Sequence, residues 1–118
     1  MGSPDASAAR RGEIWTVVFG SGNLGGIGKT RPAVIMTVDS VAAAGEPVIV
    51  VPISSARPAS GYRVGLPVGK ETGLRKQSVA VCSLATAVKR SRVSSRIGMV
   101  PGPILEDITR RLAHLIGA

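Results

Sequence analysis

The sequence predicts a mainly β domain with one closing helix, an α+β fold in which a small antiparallel barrel or sheet of short strands is covered by a C-terminal helix. Three observations predict it. Short runs rich in β-branched residues follow one another, each bounded by Gly, Pro, Ser or Asp. These runs are not separated by long helical patterns, so an alternating parallel α/β sheet does not fit. Only the C-terminal stretch carries a sustained 3.6-residue apolar period.

The elements follow in order. "GEIWTVVF" (12–19) reads as a strand, and "GSGNLGGIGKT" (20–30) as a long Gly-rich loop. "RPAVIMTV" (31–38) reads as a second strand with Pro32 near its start, where a missing N–H is tolerated. Asp39 and Ser40 can cap a short helical turn over residues 41–44, stopped by Gly45. "EPVIVVPIS" (46–54) is a near-continuous apolar run, the mark of a central strand buried on both sides. "YRVGLPV" (62–68) alternates weakly, as an edge strand does, and "SVAVCSL" (78–84) is a further strand. "KRSRVSSRIG" (89–98) holds a short helical turn and "IGMV" (97–100) a last strand. Gly102-Pro103 then places Pro at the first turn of a helix whose Ile104, Ile108, Leu112 and Leu115 share one face, ended by Gly117.

With 118 residues the chain is read as one domain, 10–118, behind a disordered tail, 1–9. No apolar run approaches the length of a membrane span, and no secretory signal opens the sequence. The single Cys82 excludes an intramolecular disulfide and fits a reducing cytoplasm. One Cys and one His also argue against a zinc site. Charge is uneven. Residues 57–96 hold nine bases and one acid, which supplies the whole net +8. A basic block inside a folded domain points to a polyanionic partner.

"GGIGKT" (25–30) looks like part of a nucleotide-binding phosphate loop, but the pattern fails. The required first Gly falls on Asn23, and the leading Lys of the partition-ATPase variant falls on Leu24. That mechanism also needs a helix directly after the loop. Arg31 precedes Pro32 and is disfavoured from helical dihedrals, so a strand follows instead.

"RRGEIW", a Gly-rich loop ending in "RPAVIM", "VIVVPISS", "ETGL" and a closing amphipathic helix resemble the MazF/PemK (Kid) family of toxin ribonucleases, from about Arg10 to the end of the helix. The resemblance implies an SH3-like barrel of the type shared with CcdB, a homodimer, and cleavage of single-stranded RNA without metal or other cofactor. It also implies inhibition by an antitoxin whose acidic C-terminal segment occupies the RNA groove. On the matched motifs, Arg31 of the "RP" pair and Ser54 at the end of "VVPIS" become the candidate catalytic residues. Cleavage by a neighbouring 2′-OH needs a cation at the developing phosphorane, and a guanidinium suits it. Ser54 could meet the phosphate or relay a proton, or simply cap the 55–61 turn. Lys29, Thr30, Ser55, Arg57, Arg75, Lys76 and Gln77 are candidate RNA-binding residues on adjoining loops. Kid-like members carry Arg and Asp beside the Cys of the fifth strand as acid and base; here Cys82 stands between Val81 and Ser83. Two other readings stay open: a CcdB-like gyrase poison acting by protein binding, and a relative that only binds nucleic acid or antitoxin. His114 is read as a helix-surface or packing residue, and Tyr62 as the one aromatic outside the first strand able to stack on a base.

Overall fold

The computed structural model describes residues 9–20, 29–43, 45 and 47–118. Most of the predicted Gly-rich loop, and the predicted tail apart from Ala9, lie outside these residues. Seven strands and one long helix follow in order. They are β1 (Glu13–Val18), β2 (Thr30–Ile35), a short helix α1 (Asp39–Ala43), β3 (Val48–Ser54), β4 (Arg63–Leu66), β5 (Ser78–Val81), β6 (Thr86–Val88), β7 (Val93–Met99) and α2 (Gly102–Leu115). All pairings are antiparallel, in the spatial order β4-β5-β3-β2-β1-β7, with β6 also on β3.

β3 is the central strand its apolar run predicts. β2 pairs along one side of it; on the other side β6 takes Val48–Val50 and β5 takes Ile53 and Ser54. Both faces of β1–β3 are covered, so alternate residues feed two separate cores. Ile14, Val34, Val51 and Ile53 point to one core, where Ile108 of α2 is wholly buried and Ile104, Leu105 and Leu112 pack around it. Trp15, Val17, Ala33, Ile35, Val48 and Val50 point to the other, which also holds Ala9 and Phe19. β4 is the edge strand its weak alternation predicts, paired only to β5 in the sheet.

The pairing does not close into a complete barrel. β4 and β7 are the ends of the order, and the turn after β4 bridges them. The Met99 N–H donates to the Glu71 carbonyl at 2.8 Å. Backbone lies directly on backbone there: a Cβ on Gly98 would sit 2.1 Å from the Thr72 carbonyl oxygen, and one on Gly73, at φ +73°, would sit 2.0 Å from that of Ile97. The "ETGL" motif is therefore the clasp of the curled sheet.

"RRGEIW" is likewise structural. Gly12 takes φ +91°, and its would-be Cβ meets Leu105 of α2 at 2.9 Å. Arg11 donates to the Met36 carbonyl and to the Thr109 hydroxyl, tying the start of β1 to β2 and α2. Glu13 is buried and accepts from the Arg10 N–H, the Trp15 indole and the Arg96 guanidinium at 2.8, 3.0 and 2.9 Å. Burial alone would raise its pKa, but these bonds outweigh it and hold the carboxyl below its ordinary value.

Three expectations shift in detail. The strand predicted over 78–84 stops at Val81, because Cys82–Leu84 form a 3₁₀ turn. β6 was not foreseen: three residues are too few to show a period, and it forms because the first half of β3 needs a neighbour. β7 begins at Val93 rather than Ile97. Its ladder with β1 shifts register twice, around Trp15, which hides the alternation a regular strand shows. The 3₁₀ turn expected before it lies at Arg90–Arg92.

Candidate nucleic-acid interface

The ends of β1, β2 and β3 meet at one edge of the second core. Arg31 pairs with Val17, and Ala33 pairs with Pro52. Arg31 shares its strand face with Ala33 and Ile35, so its side chain leaves the backbone on the side of Phe19. It lines a cavity of about 80 Å³ with Phe19, Pro52, Ser54, Arg57 and Leu84. The Arg31 Nε is buried and has no hydrogen-bond partner among the described residues. A buried guanidinium donor left unpaired is costly, and such groups recur where a ligand completes the site.

Ser54 caps the strand end, as the capping reading expects, and also lines the Arg31 cavity. Its Oγ accepts from the Ala56 N–H at 3.1 Å. An accepting hydroxyl keeps its own proton to donate. Arg57 lines the same cavity and a neighbouring one of about 250 Å³, which also includes Gln77. Arg31, Ser54 and Arg57 are thus brought together, with Gln77 one cavity away. Lys29, Thr30, Ser55, Arg75 and Lys76 are exposed and line neither cavity. Phe19 and Pro52 form walls that the sequence reading passed over. Pro52 lies within the "VVPIS" motif and pairs with Ala33, two places after Arg31.

Among the described residues, no carboxylate or imidazole lines either cavity. Cys82 belongs to the other core and lies beneath α2; burial pushes its thiol up, Asp107 adds to this and Arg111 opposes it. Tyr62 does not reach the Arg31 cavity. Its ring lies 5.9 Å from that of His114, inclined at 53°, and both line a cavity against Arg110 and Arg111. Among the described residues no group of His, Cys, Asp and Glu is arranged to hold a metal ion. No helix among them is long and apolar enough to cross a membrane. The phosphate-loop reading fails here too: Thr30 opens β2, so the helix that chemistry requires is a strand.

A curled antiparallel sheet, one covering helix and a cation-lined cavity at the strand ends define a small α+β domain with a basic site. A sequence profile of the PemK-like, MazF-like toxins of type II toxin–antitoxin systems matches residues 10–116, and the chain belongs to that family. Among solved structures, MazF from Deinococcus radiodurans superposes with a TM-score of 0.79 at 18% identity over 100% of both chains. The Mycobacterium tuberculosis toxin MazF-mt6 gives 0.73 at 19% identity, covering 89% of this chain and 96% of that one. An endoribonuclease from a mycobacterial species, solved in complex with its cognate antitoxin, gives 0.73 at 17% identity, covering 93% and 96%. These likenesses carry the fold.

Proposed function

We propose that this toxin cleaves single-stranded RNA, using its own side chains and the substrate's 2′-OH. The observation that carries the proposal is the buried Arg31 Nε, without a partner among the described residues, in a cavity shared with Ser54 and Arg57. The 2′-oxygen attacks the adjoining phosphorus, the bond to the 5′ oxygen breaks, and a 2′,3′-cyclic phosphate remains. Arg31 neutralises the phosphorane as charge gathers on its oxygens. The Ser54 hydroxyl donates to a non-bridging oxygen or passes a proton toward the leaving 5′ oxygen. Arg57 holds the next phosphate, and Lys29, Thr30, Ser55, Arg75, Lys76 and Gln77 serve as outlying contacts along the strand. With no carboxylate or imidazole among the described residues that line the cavity, solvent takes the 2′-OH proton.

The same basic surface suits an acidic antitoxin segment, which would block it by charge and by bulk. A homodimer acting in the cytoplasm completes the reading. The test is cleavage of mixed-sequence single-stranded RNA in EDTA, with the ends mapped. Arg31→Ala is expected to lower kcat by about 10²–10³, and Arg31→Lys to recover only part of it. A folded wild-type protein that cuts no RNA, or cuts equally well without Arg31, overturns the proposal. Gyrase-dependent DNA breaks in its place would point to the poison.

A further inference from the structure

Tyr62, His114, Arg110 and Arg111 line a cavity of about 370 Å³ that shares no lining residue with the Arg31 cavity. It lies where the turn before β4 meets the last turns of α2. That turn is tight. Ser60 and Arg63 exchange two backbone hydrogen bonds, at 3.1 and 2.9 Å, around Gly61 and Tyr62. Gly61 takes φ +56° to reverse the chain, and the Cys82 N–H donates to the Tyr62 carbonyl at 2.8 Å. Tyr62 is thus held in place while its side chain stays exposed. Arg111 is pinned from two sides: its Nε donates to Asp107 Oδ1 at 2.9 Å, and its Nη1 to the Gly61 carbonyl. Arg110 meets the same carboxylate oxygen at 3.3 Å and is otherwise exposed. One acid therefore serves two guanidinium groups and leaves a positive balance. No acid among the described residues lines the cavity itself.

We propose that this pocket binds a nucleotide, base on the two rings and phosphate on the two arginines. The Tyr62 and His114 rings, 5.9 Å apart and inclined at 53°, form an open corner. A base stacks on one of them with its edge toward the other. Arg110 and Arg111 have more N–H donors than their bonds to Asp107 and Gly61 use, and a phosphate takes those left over. Arg111 is already fixed, so it loses little freedom on binding. The surface of the cavity is more apolar than polar, so a bare anion would leave most of it uncovered, whereas a base covers it. The nucleotide is either free or one residue of an RNA strand; the recognising chemistry is the same. The pocket stands apart from the Arg31 cavity, and the inference does not rest on the ribonuclease reading.

The chain has one His and one Tyr, so each ring gives its own NMR signals. Titration with adenosine 5′-monophosphate is expected to shift both sets together and to saturate. Tyr62→Leu, read on His114, should weaken that binding about tenfold, and Arg110→Gln about fivefold or more. Both side chains are exposed, and thermal midpoints matching wild type verify folding. Adenosine without its phosphate should bind about tenfold more weakly. A short uncleavable 2′-O-methyl RNA separates the two sources: tighter binding than the monophosphate at the same signals marks a strand, and equal or weaker binding marks a free nucleotide. Ring signals that neither ligand moves, or an affinity unchanged in Tyr62→Leu, overturn the proposal. So does inorganic phosphate binding as tightly as the monophosphate, which would leave an anion site only. Saturation by a glutamate-rich peptide with the nucleotides inert overturns it in favour of a protein partner. Ring shifts that follow protein dilution alone overturn it in favour of a contact between copies.

Discussion

Arg31 and Glu13 show how differently two charged side chains are used in one small sheet. Glu13 is buried with three donors converging on it, whereas the Arg31 Nε is buried with none among the described residues. For Glu13 the consequence is stability. Its folded-state pKa lies below the unfolded one, so its contribution is complete above the ordinary carboxylate range and is lost as pH falls through the folded value. Glu13→Gln is expected to cost about 2 kcal/mol at pH 7, and urea titrations should show the deficit shrinking by pH 3. For Arg31 the consequence is a rate profile. Since no carboxylate or imidazole among the described residues lines its cavity, the logarithm of the proposed cleavage rate should climb steadily from pH 5 to 8. An inflection in that range, measured in single-turnover assays, would show that a side-chain base takes part.

At the level of elements, the clasp between the turn after β4 and β7 governs the curl of the sheet. Gly98→Ala places a methyl against the Thr72 carbonyl with backbone on both sides, so nothing can yield cheaply. It is expected to cost about 2–3 kcal/mol, read as a drop in melting temperature on the order of 10 °C. The elements best foreseen from the sequence were those with one unbroken pattern: β3 with its apolar run and α2 with its single face. Those missed or shifted, β6 and the start of β7, owe their form to pairing that no local pattern records. The candidate site was legible only in its placement. Arg31 and Ser54 stand at strand ends that the sequence marks, and they share a cavity. Lys29, Thr30, Arg75 and Lys76 came from loop position and charge alone, and the fold leaves them exposed, off both cavities. Phe19 and Leu84 were passed over because an apolar residue becomes a cavity wall only once three separated strands meet.

For the molecule as a whole, charge is the deciding quantity. The net +8 comes from one segment; its Arg57 shares the Arg31 cavity, its Lys89 and Arg92 line the adjoining one, and no acid among the described residues lines either. Four phosphate contacts predict a log–log salt slope for single-stranded RNA near −3, at ~0.7 per contact. Fluorescence anisotropy between 50 and 300 mM salt would measure it. A nearly flat response would mean that these cavities do not meet the backbone.

The bonds made by the opening "RRGEIW" reach further than stability. Arg11, Gly12, Glu13 and Trp15 brace the first strand against its neighbours and the helix, and none of them lines the Arg31 cavity or the cleft beside it. The signature that most readily marks this lineage therefore certifies the chassis and is silent about the cargo. That opening therefore speaks for the architecture of this chain, and its proposed target has to be read from the cavity at the strand ends.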